Sequence, residues 1–294
     1  MLNIREYVNE ELNKYQGVYL PARASFLEQI FVKNVSPKKL HPNPEDEFCF
    51  AEVGPNDEII GKYIKKITFS QMHSMPIFDE PLIIEKIRPD GYMLLNGHHR
   101  WAAALMLDVK KVPVDLINVT QLSDIIGQLQ KTDRTKRASI NLDDVIFCQN
   151  ETEPAEKPLI FPFSRIFPER IREGIPGLVF ALHNAGYDVW VYTTGYASTD
   201  YLNHLFIHHR IKVDGIINGA NRLNSSKEND MSKVKELMAK KYRVTLNIDM
   251  ESVSWIRSDT KDFEMINIDP KGDSWARQVT DILRRLKDLG TEDL

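Results

Sequence analysis

From Ala138 onward the sequence alternates between apolar runs of strand length and helical stretches, and this alternation limits the fold more than any other feature of the chain. Helical patterns lie near residues 170–185, 198–209, 230–241 and 274–288. The strand-like runs between them are ASINLDDVIF, YDVWVYTT, VDGIIN, RVTLNID and FEMINID. Alternation of this kind predicts an α/β domain whose parallel sheet is covered by helices on both faces, with ligands at the carboxyl ends of the strands.

The residues before Ala138 follow a different pattern. Helical spacing over residues 4–15 and 23–31 predicts two helices near the N-terminus. The next segment is typical of a small α+β domain, with a strand (PLIIEKI), a hairpin (RPDGYMLL), a helix (HHRWAAALMLD) and a last strand (VPVDLIN). The predicted regions are an N-terminal helical arm over 1–30, the α+β domain over 31–119, a linker helix over 120–137 and the α/β domain over 138–294.

Composition and charge narrow the classes of function. The chain has 294 residues and a net charge of −4, which argues against bulk attraction to nucleic acid or to an anionic membrane. No apolar run approaches the roughly 18 residues that span a bilayer, and the N-terminal residues lack the apolar core of a signal peptide. Cys49 and Cys148 predict neither a disulfide framework nor a zinc site. We therefore expect a soluble cytoplasmic protein with no membrane partner and no DNA partner; a homodimer is compatible with the sequence.

The segment Asn96-Gly97-His98-His99-Arg100 carries the first candidate site. It follows an apolar strand and opens an alanine-rich helix, whose first amides have no acceptor within the helix and point outward. Gly97 permits close approach of the backbone to a ligand, and Arg100 can bind two phosphate oxygens at once. The segment therefore favours a phosphate group; the alternative is that His98 and His99 make local hydrogen bonds at a helix start.

Residues 31–119 resemble the ParB/sulfiredoxin superfamily. The resemblance is carried by the loop His41-Pro42-Asn43-Pro44, the strand PLIIEKI, the Gly-His-His-Arg turn and the closing strand VPVDLI, in that order. It implies binding of ATP, ADP or CTP at the turn. Sulfiredoxins place a reactive cysteine where this chain has His98, so sulfinic acid repair is not expected. ParB proteins continue into a helix-turn-helix region, which is not evident here, and the Gly-His-His-Arg form is similar to the free serine kinases.

A kinase of that type needs a carboxylate that accepts the proton of the hydroxyl group. In the resembling enzymes a glutamate follows the His-Pro loop, so Glu45 or Glu47 is the candidate base, and His98 completes the candidate catalytic set. The alternative for the two glutamates is a solvated acidic loop. These kinases commonly carry aspartate where this chain has Asn96, and an amide cannot act as a base. Nucleotide binding without turnover is therefore a second hypothesis.

The C-terminal half, over residues 138–288, resembles the haloacid dehalogenase (HAD) superfamily and thus implies a Rossmannoid three-layer α/β domain. The family's Asp-x-Asp motif corresponds to Asn141-Leu142-Asp143. Asp143 keeps the acid/base position, whereas Asn141 lacks the anionic oxygen that forms an aspartyl-phosphate. The second motif corresponds to Thr193, followed by Thr194 and Gly195. The resemblance implies that the Thr193 hydroxyl and the neighbouring amides hold phosphate oxygens.

The remaining HAD motifs supply a lysine and the acids for a metal ion. Lys227 is the better candidate for the lysine and Lys233 the weaker one. Asp249, with Glu251 close by, would hold Mg²⁺ together with Asp143, since magnesium prefers several oxygen ligands.

Three functional hypotheses follow. The leading one is a nucleotide-binding protein that transfers a phosphoryl group to a small-molecule substrate, or hydrolyses the nucleotide, at the Gly97–Arg100 turn. The second is a catalytically inactive nucleotide-sensing regulator. The third is a magnesium-dependent phosphatase that works from the C-terminal half through water.

Overall fold

The computed structural model describes residues 3–14, 19–218, 228–258, 260–269 and 274–288. Contacts between residues divide the chain into two compact units, Met1–Val119 and Thr120–Leu294. Both units combine helices with a β-sheet, so the chain is of the mixed α/β class. No described helix is both long enough and apolar enough to cross a membrane.

The first unit is built on one mixed sheet. Its elements are α1 (Ile4–Lys14), β1 (Leu20–Pro21), α2 (Phe26–Phe31), β2 (Asn34–Val35), β3 (Leu40–Pro42), α3 (Asp57–Met72), β4 (Leu82–Arg88), β5 (Tyr92–Asn96), α4 (His98–Met106) and β6 (Val112–Ile117). The strand order is β2-β6-β4-β5-β3, and β1 pairs with the end of β4. Strands β4 and β5 form the antiparallel hairpin that was predicted at Asp90-Gly91. Strands β3 and β5 run parallel, as do β4 and β6.

Helices α3 and α4 pack against each other beside this sheet. Helix α4 presents Trp101 and the three alanines that follow it to the interior, and its indole donates a hydrogen bond to the carbonyl of Pro37 over 2.9 Å. Helix α3, which the sequence analysis did not identify, begins at Asn56, whose side chain accepts from the amides of Glu58 and Ile59. It buries Ile60 and Ile67 against the core.

The second unit holds the strand–helix alternation. Its elements are α5 (Leu122–Leu129), β7 (Lys136–Asn141), α6 (Phe163–Ile166), α7 (Ile175–Asn184), β8 (Tyr187–Tyr192), α8 (Thr199–His208), β9 (Gly215–Ile217), α9 (Glu228–Lys241), β10 (Val244–Ile248), β11 (Ser252–Arg257), β12 (Phe263–Asn267) and α10 (Trp275–Asp288). In the described part of the unit the strand order is β12-β11-β10-β7-β8-β9. Trp190 of β8 packs with α5 and α9, while its neighbours Val189 and Val191, which alternation directs to the opposite face, are also buried.

The prediction of a wholly parallel sheet is wrong for two strands. Strands β10, β7, β8 and β9 are parallel, but β11 pairs antiparallel with β10, and β12 pairs antiparallel with β11. The reason is the length of the connections. Three residues separate Ile248 from Ser252, and five separate Arg257 from Phe263, whereas a parallel crossover needs a dozen or more residues.

Two predicted boundaries near the start of this unit are also corrected. The linker helix predicted over 120–137 is helical over Leu122–Leu129, and β7 already begins at Lys136. The strand predicted over ASINLDDVIF ends at Asn141, and Leu142–Ile146 form a π-helical turn. The Asn141 side chain causes this break, because its oxygen accepts from the amides of Asp143 and Asp144 and so caps the turn.

Candidate functional site

The turn between β5 and α4 requires a glycine. Gly97 has a φ of +98°, in the left-handed region that side chains disfavour. A Cβ atom at this position would lie 2.5 Å from a methyl carbon of Leu82 and 3.0 Å from Nη2 of Arg100. Gly97 therefore lets β5 pass directly into α4, whose first amides have no acceptor within the helix.

His98 fastens this turn to the loop that follows β3. Its Nε2 accepts from the backbone amide of Asn43 over 3.3 Å, and its Nδ1 lies 3.3 Å from a carboxylate oxygen of Asp46. The side chain is 4% exposed. Burial lowers the pKa of His98 to about 4, although the nearby charge of Asp46 acts in the opposite direction. His98 is therefore neutral, and because Nε2 accepts, its proton is on Nδ1, the nitrogen that faces the Asp46 carboxylate.

His99 holds a second segment next to the turn. Its Nε2 accepts from the backbone amide of Asn56 over 3.3 Å, at the start of α3. The Phe48 ring packs on both histidines, edge to face against His99 at 5.0 Å between ring centroids. Burial is the main reason that the pKa of His99 is lowered. The two histidines thus bind the loop after β3 and the start of α3 to the same turn.

Arg100 lies in the first turn of α4. Its Nη1 donates to the carbonyl oxygen of Glu80 over 2.5 Å, and its guanidinium lies over the Phe78 ring at 5.8 Å. A guanidinium has five N–H donors, and the bond to Glu80 uses one of them. The side chain is half-buried, and its Nη2 and Nε atoms lie 3.0 and 3.2 Å from the position that a Cβ atom of Gly97 would occupy.

The candidate bases Glu45 and Glu47 lie on the loop that His98 fastens. Glu45 is half-buried, and its amide donates to the side chain of Asn43; Glu47 is exposed in a short 3-10 turn. The carboxylate in contact with His98 belongs to Asp46, which the sequence analysis did not single out. Asp46 also accepts from the amide of Phe48, so the signal that could have identified it is its capping position before an aromatic residue.

The second unit brings several of its candidate residues to the carboxyl ends of β7, β8 and β10. The Thr193 hydroxyl lies 2.9 and 2.7 Å from the two carboxylate oxygens of Asp143, and the Gly195 amide donates to the same hydroxyl over 2.9 Å. The Tyr192 hydroxyl donates to Asp249 over 3.2 Å. Burial and the charge of Asp249 raise the pKa of Tyr192 to about 12, so the phenol stays protonated.

The remaining candidates of the second unit are less well placed. Thr194 and Glu251 are exposed, Lys233 lies within α9, and Lys227 falls outside the described residues. Within the described residues, no group of three or more His, Cys, Asp and Glu side chains is arranged to hold a metal ion. Magnesium bound by Asp143 and Asp249 therefore stays a prediction.

Two comparisons with known proteins agree with the first resemblance. Residues 72–132 match the ParB N-terminal domain family. An ATP-dependent L-serine kinase of Staphylothermus marinus is 31% identical over 100 residues, a segment that covers 31% of this chain and 39% of that protein. The chain thus spans about two fifths of the length of this relative. Together the comparisons support a ParB/sulfiredoxin-like domain. The family match ends at residue 132, and the HAD resemblance of residues 138–288 stays a prediction.

Proposed function

We propose that the first unit binds ATP or ADP at the Gly97–Arg100 turn and transfers a phosphoryl group to the hydroxyl of a small molecule of the free-serine class. The observation that carries the proposal is that His98 and His99 make the structural hydrogen bonds of the turn. The helix amides and Arg100 are then left to meet a phosphate group. The relative named ATP-dependent L-serine kinase supports both the nucleotide and the acceptor.

The proposed binding mode assigns a separate role to each part of the turn. Gly97 supplies the positive φ that lets β5 pass directly into α4, and the amides at the start of α4 donate to the phosphate oxygens with the positive end of the helix dipole. Arg100 adds a charge-assisted pair of hydrogen bonds. Mg²⁺ that enters with the nucleotide would supply further positive charge against the phosphates, in addition to that of Arg100.

Glu45 and Glu47 are the proposed bases, and the attachment of their loop to the turn supports this assignment. The bond between His98 and Asn43 anchors the loop close to the turn. Asp46 is engaged by His98 and by the amide of Phe48, so its flanking glutamates are the carboxylates that could receive a proton from the acceptor.

Phosphorus NMR of the full chain with magnesium tests this function. Samples with ATP, ADP and CTP are each recorded with and without free serine. We expect a new phosphomonoester resonance that needs both nucleotide and serine. Arg100→Ala should weaken nucleotide binding by about 1.5–3 kcal/mol, the usual value of a charged hydrogen bond. Unchanged affinity in this variant would contradict the site.

The base is identified by comparing matched amide variants. Glu45→Gln and Glu47→Gln each remove one carboxylate from the loop, and Glu52→Gln makes the same change at an exposed position a few residues further on. General-base catalysis contributes about 100-fold or more, so one of the first two variants should lose that much activity while Glu52→Gln keeps it. Equal activity in all three variants would remove both glutamates from the mechanism.

A nucleotide-sensing regulator is the second candidate, and Asn96 is the observation that favours it. Asn96 is exposed at the end of β5, just before Gly97, where an aspartate is common in the resembling kinases. An amide there can bind a ligand but cannot take a proton. Broadened nucleotide resonances without any new phosphorus signal would establish this candidate and exclude turnover.

The phosphatase hypothesis rests on the contact between Thr193 and Asp143 at the sheet end of the second unit. We include it as a separate activity, because a carboxylate and a hydroxyl in contact could orient water and a phosphate ester. It predicts hydrolysis of a generic phosphomonoester that is lost in Asp143→Asn. Asn141 lacks the anionic oxygen of a nucleophile, and its side-chain oxygen caps the following turn.

A further inference from the structure

A pocket of about 530 Å³ lies at the end of the first unit's sheet where β4 ends and β5 begins. This volume is in the range of small-molecule sites. Its walls come from the residues after β1, from Lys39 just before β3, and from the β4–β5 hairpin over residues 86–92. Strand β5 starts at this pocket and ends at Asn96, so the length of the strand, about 17 Å at 3.3 Å per residue, separates the pocket from the Gly97 turn.

The pocket is lined by four cationic side chains. They are Arg23, Lys39, Lys86 and Arg88, and the acidic residue in the lining is Asp90. The whole chain has a net charge of −4, so this concentration of positive charge opposes the overall balance. Cations gathered around one concavity repel one another, and a bound anion with several charges relieves that repulsion.

Backbone packing fixes the walls of the pocket. Gly91 has a φ of +79°, and a Cβ atom there would lie 2.6 Å from both Nε2 of His41 and the carbonyl oxygen of Lys39. The hairpin therefore touches the start of β3 directly, and this contact fixes the Lys39 backbone beside Gly91. His41 is buried and paired with Glu11 over 2.9 Å, which anchors that contact in the core.

An acidic residue outside the lining contacts one of the pocket's lysines. Lys86 donates to Glu28 over 2.6 Å, and Glu28 is itself fixed by a reciprocal capping bond with Ser25. Among the residues that line the pocket, four are cationic and one, Asp90, is acidic. Two of its cations are arginines, whose planar guanidinium groups match the oxygens of a phosphate.

We propose that this hairpin pocket, formed by Arg23, Lys39, Lys86 and Arg88, is a second binding site for a multivalent phosphate anion. The pyrophosphate group is the chemistry we assign to it, either as the free ion or as part of a nucleoside diphosphate. The site is separate from the Gly97 turn and does not depend on the activity proposed there.

Isothermal titration at low ionic strength tests the proposal in an Arg100→Ala background, which removes the main cation of the turn. The probes are inorganic pyrophosphate and, separately, ADP. We expect pyrophosphate to bind this variant, and we expect its affinity to fall about tenfold or more when Arg88→Glu or Lys39→Glu is added. Tighter binding of ADP than of pyrophosphate would identify a nucleotide as the ligand, and equal binding would identify the free anion.

Lys110→Glu is the matched control, since it makes the same change of charge at an exposed lysine outside the pocket. Added to the same background, it should change the affinity by about twofold or less, because screening weakens distant charges. The proposal is overturned if pyrophosphate does not bind Arg100→Ala at millimolar concentration, or if Lys110→Glu weakens binding as much as Arg88→Glu. Loss of binding at the turn alone would appear instead between the wild type and Arg100→Ala.

Discussion

The Gly97 turn of the first unit and the sheet end of the second unit both place polar side chains after a strand, but they use them differently. At the turn, His98 and His99 accept from the amides of Asn43 and Asn56, while Arg100 donates to the carbonyl oxygen of Glu80. At the sheet end, Thr193 and Asp143 are bonded to each other. A ligand at the sheet end must compete with a charged hydrogen bond worth about 1.5–3 kcal/mol. At the turn, the histidines make the structural bonds and leave the helix amides for a ligand, whereas at the sheet end the candidate ligand-binding side chains bond to each other.

The largest expected effect concerns the pH dependence of the first unit. The folded pKa of His98 is about 4, below the ordinary value of 6.5. The unfolded chain therefore binds more protons than the folded chain between these values. The free energy of unfolding is therefore highest above pH 6.5, where His98 is neutral in both states, and it decreases as the pH falls to about 4. His98 accounts for a decrease of up to about 3 kcal/mol across this range. Urea unfolding at several pH values across this window measures it.

His98→Gln isolates this contribution from the carboxylates that titrate in the same range. The variant should be less stable than the wild type at neutral pH, and the difference should shrink as the pH falls towards 4. His99→Gln, at a half-buried position, should show a smaller change. Parallel pH curves for His98→Gln and the wild type would mean that His98 does not hold the turn through its neutral form.

Gly97→Ala tests whether the turn of the first unit depends on its glycine. Alanine is strained at the positive φ of this position, and its methyl group would lie 2.5 Å from Leu82. We therefore expect the free energy of unfolding to fall by about 1–3 kcal/mol and nucleotide binding to weaken. Thermal unfolding measures the loss. Gly61→Ala is the control, because Gly61 lies inside α3 with open space around its Cβ position. There alanine should stabilise the chain by about 0.5–1 kcal/mol. Equal effects at the two positions would contradict the role of the turn.

The sequence predicted the parts of the fold that depend on local chemistry. The Asp90-Gly91 hairpin, the helix after Gly97 and the four parallel strands of the second unit follow from turn residues and periodicity. Strand β12 was predicted from the run FEMINID but with the wrong direction, and β11 was not predicted at all. A run of apolar residues does not specify the direction of a strand, whereas the short connections between these strands do. Helix α3 was missed although Ile60 and Ile67 carry its buried face.

In the candidate sites, too, the sequence predicted the local arrangement but not the contacts between distant residues. Sequence placed Gly97 through Arg100 on one turn, since adjacent residues must lie together. It did not identify Asp46, because the contact between Asp46 and His98 joins positions 52 residues apart and depends on how the loop folds back. The same limit applies to Asn141, whose capping role becomes visible only when the turn after β7 is seen.

Asn141→Ala tests whether this side chain is structural, and its effect should be smaller. The variant loses the cap of the turn at Leu142–Ile146, which costs about 1 kcal/mol. Asn141→Asp should keep the cap and leave stability within about 0.5 kcal/mol of the wild type, since aspartate caps as well as asparagine. Chemical unfolding of both variants gives the comparison. A stable Asn141→Ala protein would leave the asparagine without the structural role assigned to it.

Asn96→Asp is expected to have the smallest effect on stability and the most informative effect on chemistry. Asn96 is exposed at the end of β5, so the free energy of unfolding should change by less than about 0.5 kcal/mol. If the turn carries out phosphoryl transfer, a carboxylate next to Gly97 supplies a base or a metal ligand, and formation of the phosphomonoester should rise by about tenfold or more. Phosphorus NMR with serine and nucleotide measures the rate.

Asn34→Asp is the control: it makes the same chemical change at an exposed position on β2, away from the turn, and should leave the rate unaltered. Equal rates in both variants would show that the amide at Asn96 is not what limits turnover, and the comparison between the two regions would then rest on binding rather than on catalysis.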